Sequence, residues 1–418
     1  MHADVMVIGA GPAGLAAAIA AKEAGAQSLV VLEREREAGG ILCQCIHNGF
    51  GLHRFKEELT GPEYAKRDID AARDLNIDIR TGTTVLSVTR DRKVTCVSVE
   101  RGIENYSCGA IVLCMGCRER PRGALGTPGT RCAGIFSAGT AQKFVNLEGY
   151  MPGRRVVVLG SGDIGLIMAR RMSLQGAKVL ACVEIMPYSS GLNRNIVQCL
   201  EDYDIPLYLS HTVTDIRGTE RLTGVTIMRV DASRKPVAGS AVDFVCDTLL
   251  LSVGLIPENE LTLGAGITLS DVTGGALVDD RFETDAEGIF TAGNVLHVHD
   301  LVDDVSAEAF KAGKAAAEYA AHGKTERHTV RVLDGRGVRG AVPQKINLPA
   351  QGAVQVMFRP DGVYENAFVC LQTVHQTLLR RKMRILTPGE MAQVVISAEK
   401  LSGLDEDMTV SIEGDKRV

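Results

Sequence analysis

Tryptophan is missing from this chain, and aromatic residues make up only 4% of it against 45% apolar residues. That balance points to soluble globular domains with aliphatic cores and excludes a disordered or low-complexity chain. An excess of either charge is missing too. The 46 Lys and Arg stand against 51 Asp and Glu, a net −5, so composition gives no reason to expect nucleic acid or an anionic membrane as partner. No long apolar run goes unbroken. The uncharged stretch from Val5 to Ala21 is interrupted by Gly9, Gly11, Pro12 and Gly14, and Asp4 stands where an export signal needs positive charge. Membrane insertion is therefore not expected. The eleven cysteines are scattered, odd in number and not preceded by a signal peptide, which favours reduced thiols in the cytoplasm over a disulfide framework. At 418 residues the chain has room for roughly three domains.

What is plentiful is glycine, and its placement carries chemistry. Asp4 to Ile8 reads as a strand, followed by Gly9-Ala-Gly11-Pro12-Ala13-Gly14, an Ala-rich helical stretch to Gly25, and a second strand ending at Leu32 before Glu33 and Arg34. Gly9 suits the tight turn, Gly11 a close approach of backbone to a pyrophosphate, and Gly14 close packing of helix on strand. The helix start would offer unpaired N–H groups and a positive dipole end to the phosphates, and Glu33 would accept bonds from ribose hydroxyls.

The design recurs. Gly160, Gly162, Gly165, Gly176 and Glu184 each stand 151 positions after Gly9, Gly11, Gly14, Gly25 and Glu33. Two nucleotide sites in one chain suggest two nucleotides that meet, and hydride transfer between a flavin and a nicotinamide is the chemistry that needs this. No Arg follows Glu184 as far as Ser190, so NAD(H) is expected over NADP(H), whose extra phosphate the carboxylate would repel. A degenerate second unit that binds nothing is the alternative, because Asp163 beside the phosphate position opposes an anion.

With these motifs the chain resembles the two-dinucleotide-binding-domain flavoproteins, the pyridine nucleotide–disulfide oxidoreductase superfamily, over about residues 1–325. Gly116, in Cys114-Met-Gly116-Cys117, resembles the glycine connection into the nicotinamide domain. Gly254, in Ser252-Val-Gly254, resembles the strand leaving it. Gly288-Ile-Phe-Thr-Ala-Gly293-Asn294 is similar to the second flavin motif. The resemblance implies FAD, held by Gly9, Gly11, Pro12, Ala13, Gly14, Glu33, Arg34, Gly40, Gly116, Gly293 and Asn294. It implies NAD(H) held by Gly160, Gly162, Ile164, Gly165, Glu184 and Gly254. The family usually has Asp at position 294, and Asn can still bond a ribityl hydroxyl. A helix from about Ser306 would aim its positive end at the flavin ring. The run Gly39-Gly40-Ile-Leu-Cys43-Gln-Cys45-Ile-His47-Asn48 further resembles NAD/FAD subunits that accompany glycerol-3-phosphate, sarcosine and proline dehydrogenases and hydrogen cyanide synthase.

The cysteine pairs that disulfide reductases of this superfamily use are missing. Cys43 and Cys45 are separated by one residue, a spacing that strains ring closure, and Cys114 and Cys117 lie at a buried strand end. Plain packing is the favoured reading for both pairs. A zinc site at Cys43, Cys45 and His47 would lack a fourth ligand, so no metal is expected. Cys45 and His47 are the candidate catalytic residues, lining the reactive face of the flavin. His47 either moves a proton or only hydrogen-bonds its surroundings, and His297 and His299 carry the same ambiguity.

The expected architecture is α/β: two Rossmann-like domains followed by a small all-β module. The flavin domain is expected at residues 1–150 and 276–325, interrupted by the nicotinamide domain at 151–275. Strand-like runs at 354–358, 367–371 and 393–396 mark the β module at 331–418, whose basic run Arg380 to Arg384 suits a solvated strand face or a surface for another subunit. The functional expectation is an FAD-dependent NAD(H) oxidoreductase, one subunit of a hetero-oligomeric dehydrogenase for an amine, hydroxy acid or polyol phosphate. Two alternatives remain open: a self-contained enzyme with its own organic substrate, and an FAD-holding relay subunit without NAD activity.

Overall fold

The computed structural model describes residues 1–325 and 327–417. Two compact units emerge, residues 1–117 with 257–418, and residues 118–256. The elements that carry the sites are, along the chain, strands β1 (His2–Ile8), β2 (Leu29–Leu32), β3 (Gly102–Leu113), β4 (Arg155–Leu159), β5 (Lys178–Glu184), β6 (Thr248–Leu251), β7 (Ile289–Thr291), β8 (Val354–Pro360) and β9 (Thr377–Leu386), with helices α1 (Pro12–Glu23), α2 (Gly61–Asp74), α3 (Asp163–Leu174) and α4 (Val302–His322).

In the first unit β2, β1, β3 and β7 are parallel neighbours, with Val5 opposite Leu29, Val5 opposite Ala110 and Ile111 opposite Ile289. An antiparallel hairpin, Thr83–Val88 and Lys93–Ser98, extends the sheet along the first half of β3. β1, β2 and the inner half of β3 are almost wholly buried and read as continuous Val, Ile and Leu runs, as a parallel sheet covered on both faces requires. α1 and α4 pack together through small residues. A Cβ on Gly313 would come within 2.0 Å of the Ala17 carbonyl oxygen, so the two backbones approach as closely as only glycine permits.

The second unit repeats the scheme with a parallel sheet ordered Ile135–Ser137, β6, β4, β5, Leu207–Leu209. An antiparallel sheet of His211–Gly218, Leu222–Arg229 and Val242–Phe244 accompanies it. The fold is the mixed α/β, Rossmann-like one expected. The second unit runs from 118 to 256, so it starts and ends earlier than the expected 151–275; the 118–150 segment supplies the edge strand Ile135–Ser137 to the second sheet.

From His328 onward the chain is strand-rich. A five-stranded sheet with β9 at its edge and a three-stranded sheet with β8 at its centre enclose a separate apolar core of residues such as Val356, Phe358, Val369, Leu371 and Ile412. All three expected strand runs fall inside observed strands; the short helix Ala398–Leu401 departs from a purely β module. Arg380, Arg381, Lys382 and Arg384 are exposed on edge strand β9, where charge discourages edge-to-edge pairing. These strands belong to the first unit.

Candidate functional site

The first site assembles where β1 gives way to α1. Gly9 has φ +101°, and a Cβ there would lie 2.4 Å from the Cys114 carbonyl oxygen. A Cβ on Gly14 would lie 1.7 Å from the Gly9 oxygen, so the helix can sit on the strand only with glycine at that position. α1 starts at Pro12 with no side-chain cap and no acidic residue in its first turn, which leaves its N–H groups to a ligand or to water. Gly40 and Gly293 close on the same point: a Cβ on Gly40 would be 2.9 Å from the Gly11 Cα, and one on Gly293 would be 2.8 Å from the Ala13 Cβ. Gly11, Pro12, Ala13, Gly40 and Gly293 thus form a cradle almost free of side chains, which suits a diphosphate.

Glu33 is buried beside this cradle. One of its oxygens accepts from Ala10 N at 2.7 Å and the other from Glu35 N at 2.9 Å. A carboxylate offers about four acceptor positions, so capacity remains for hydroxyl donors. Arg34 is exposed. These residues fit an FAD pyrophosphate and ribose.

Beyond Gly40 the chain makes a tight helical turn, Gly40–Gln44. Cys43 Sγ donates to Ala38 O at 3.4 Å and Cys45 Sγ to Ile41 O at 3.3 Å. Burial, with a smaller contribution from Cys43, pushes the Cys45 thiol up to about 12, which keeps it protonated at neutral pH. His47 Nδ1–H donates to Asn48 O at 3.0 Å, and its ring lies 4.9 Å from Phe50. This loop sits against the start of α4: Val302 and Phe50 both pack against the cluster of Leu42, Leu59, Tyr64 and Ala65, His53 N donates to Asp303 at 2.9 Å, and Tyr64 OH bonds Ser306 Oγ at 2.8 Å.

α4 begins at Val302, four residues before the expected Ser306, and its first turn contains Asp303 and Asp304. The positive helix end expected to face a flavin is therefore already answered by carboxylates. Asp303 is 8% exposed and its Oδ1 has no hydrogen-bond partner among the described residues. Burial raises the Asp304 carboxyl, against the opposing pull of His299 and His53.

Sequence reasoning missed the anchor of the Gly293 turn. Glu308, on α4, accepts from Gly293 N at 2.7 Å, from His297 Nε2 at 2.6 Å and from His299 Nε2 at 3.2 Å, all of it buried. Burial acts to raise Glu308, but the imidazoles and their hydrogen bonds outweigh it and hold the carboxyl well below its ordinary range. Burial keeps His297 below its usual value, neutral and donating. Asn294 belongs to the same network: Oδ1 accepts from His299 N at 3.0 Å and Nδ2 donates to Cys117 Sγ at 3.6 Å, which fixes the amide orientation and ties the turn to the residue after Gly116. Among the described residues, His297, His299 and Glu308 have the spacing to hold a metal ion; Cys43, Cys45 and His47 are not such a group. Both Nε2–H bonds would have to be lost for that ion to bind. The one signal in the sequence was the His297-x-His299 pair. Its partner lies nine residues beyond His299 and is found only once the start of α4 is known.

The second site repeats the first. Gly160 has φ +97°, and a Cβ on it would lie 1.9 Å from Ser252 O. Gly165 N donates to Ser252 Oγ at 3.0 Å, two residues before Gly254. Buried Glu184 accepts from Ser161 N at 3.0 Å, Ser161 Oγ at 2.6 Å and Met186 N at 2.9 Å. Ser161 and Met186 stand 151 positions after Ala10 and Glu35, so the hydrogen bonds repeat along with the glycines. Asp163 accepts from Leu192 N at 2.8 Å and Asn195 Nδ2 at 2.6 Å. Its charge is thereby engaged by its own loop, while Gly162 and Ile164 remain at the helix start. The arrangement fits a second dinucleotide.

Among the described residues no helix is long and apolar enough to cross a membrane, and none of the eleven cysteines is in a disulfide. Residues 3–312 match the family model described as "Pyridine nucleotide-disulphide oxidoreductase". The chain is 27% identical over 312 residues to an opine oxidase subunit of Agrobacterium tumefaciens, covering 70% of this chain and 61% of that protein. It is 28% identical over 343 residues to the glutamate synthase [NADPH] small chain of Escherichia coli, covering 74% and 66%. The thioredoxin reductase of T. acidophilum superposes with a TM-score of 0.64 and 25% identity, over 77% of this chain and 99% of that one. The chain thus spans about three-fifths of the opine oxidase protein it matches. The match over residues 3–312, with two glycine turns each braced by a buried glutamate, shows that this chain belongs to the pyridine nucleotide–disulphide oxidoreductase family, whose members bind FAD and a pyridine nucleotide.

Proposed function

We propose that this chain exchanges a hydride between NAD(H) and FAD as one subunit of a dehydrogenase for an amine or a hydroxy acid or polyol phosphate. The observation that carries the reading is the repeated bracing of the two turns, Glu33 by Ala10 and Glu35 and Glu184 by Ser161 and Met186. When bound, the flavin supplies the electron-pair acceptor or donor for the nicotinamide.

The chain's own residues bind and orient. Gly9, Gly11, Pro12, Ala13, Gly14 and Gly40 would receive one pyrophosphate, Glu33 and Arg34 the adjoining ribose, and Gly116, Gly293 and Asn294 the ribityl side. Gly160, Gly162, Ile164 and Gly165 would receive the second pyrophosphate, with Gly254 beside it. Glu184 would take the adenosine ribose hydroxyls and disfavour a 2′-phosphate. Proximity and orientation do most of the catalytic work in such an enzyme. His47, whose Nδ1–H bonds Asn48 O, would either move a proton or only hydrogen-bond its surroundings. Cys45 lines the site as a thiol.

Membership in a larger assembly is supported by the printed names of the two relatives, each a subunit or chain of a larger enzyme. The test is a gently purified, full-length preparation titrated anaerobically with NADH. A yellow protein bleached by NADH, and less readily by NADPH, supports the reading. A colourless protein that takes up no flavin overturns it.

A further inference from the structure

The loop from Leu296 to Leu301 lies between the Gly293–Asn294 turn and α4 and has no strand or helix ladder of its own. Its backbone and charges need partners from elsewhere, and the C-terminal strands provide them. Arg359, on β8, donates to Val298 O at 3.0 Å and to Asp300 Oδ1 at 2.5 Å, while its other nitrogen reaches Gly389 O at 2.9 Å. Met391 N donates to Asp300 Oδ2 at 2.6 Å, so both Asp300 oxygens are taken by this one module. Val298 and Asp300 alternate with His297 and His299, the two imidazoles on Glu308, which in turn holds Gly293 N.

We propose that the C-terminal strands complete the flavin site, with Arg359 as a positioning residue that fixes the 296–301 loop and through it Asn294 and the Glu308 cluster. The inference rests on the reading that the Gly293–Asn294 turn receives flavin. The module is also secured elsewhere: Gln344 exchanges bonds with Val278, and Asn347 donates to Asp279 and Asp280. Loss of Arg359 alone therefore removes the hold on Val298 O and Asp300 Oδ1 without releasing the strands, and leaves Met391 N as this module's remaining bond to Asp300. A planar guanidinium can serve a carbonyl, a carboxylate and a second carbonyl at once, which a lysine ammonium cannot reproduce in the same geometry.

The experiment measures FAD affinity by reconstitution of the full chain after flavin removal, with far-ultraviolet circular dichroism as the fold control. Arg359→Ala and Asp300→Asn are expected to weaken FAD binding about tenfold or more. Arg359→Lys should recover only part of the loss, and hydrogen exchange should rise locally over residues 296–301. Arg331→Ala, which removes an exposed ion pair to Asp407 within the same module, should stay within about twofold of wild type. If Arg359→Ala fails to fold, the near-isosteric Asp300→Asn decides. FAD affinity within about twofold of wild type in both variants, while Asn294→Ala has lost flavin, overturns the proposal and leaves the flavin reading standing. A wild-type chain that takes up no flavin removes both.

Discussion

The Ser161 hydroxyl donates to Glu184 Oε2 at 2.6 Å, a bond for which Glu33 has no counterpart because Ala10 stands at the equivalent position. Glu184 therefore has three donors where Glu33 has two, and roughly one acceptor position left instead of two. The second turn is the more heavily bonded of the pair and the more sparing in what it can accept.

Glu184→Gln should weaken NADH binding about tenfold to a hundredfold, the usual worth of a charge-assisted bond. NADPH binding should change less, so that the preference between the two narrows, and flavin content should be unchanged. Fluorescence titration with both nucleotides checks this.

Gly14→Ala should abolish flavin retention. The added Cβ would sit 1.7 Å from the Gly9 carbonyl oxygen, backbone that cannot step aside, and the overpacking should cost about 1–3 kcal/mol or more. The ratio of flavin to protein absorbance reads the effect, with Gly123→Ala as control, since nothing lies within 4 Å of a Cβ there.

Both of those glutamates and the glycines of the two turns were legible in the sequence because they stand at the fixed spacings of one strand–turn–helix–strand unit, and the common offset of 151 exposed the repeat. Glu308 was not legible, since α4 carries it back to Gly293 only once its start at Val302 is fixed. Arg359 was hidden for a stronger reason. Fifty-nine residues and a change of sheet separate it from Asp300, and no periodicity reports a contact of that kind. The start of α4 was read four residues too late, at Ser306 instead of Val302, which left Asp303 and Asp304 outside the helix whose positive end was expected to face a flavin.

The Glu308 cluster should make the protein acid-sensitive. His297 lies below its usual 6.5 and Glu308 below its usual 4.5. Both are depressed, so the stability each contributes is present above the unfolded value and is lost as pH falls through the folded one. Melting temperature should drop on acidification from about pH 7 to about pH 5, with His297 the first contributor, and His297→Asn should flatten that slope. A slope unaltered by the substitution contradicts it.

Cys45→Ser should leave flavin reduction by NADH within about threefold of wild type, because a thiol raised to about 12 is not a thiolate nucleophile at neutral pH. Alkylation of Cys45 by iodoacetamide should stay slow until strongly alkaline pH. Stopped-flow reduction and mass spectrometry of the labelled protein measure the two effects.

The most direct measurement is an anaerobic NADH titration of wild type, Glu33→Gln and Glu184→Gln side by side, followed at the flavin absorbance. Two turns holding two different nucleotides require a yellow wild type bleached by stoichiometric NADH, a Glu33→Gln protein short of flavin, and a Glu184→Gln protein fully yellow but bleached only at higher NADH. A yellow wild type that NADH leaves unbleached, or a loss of colour shared equally by both variants, would contradict that division of labour.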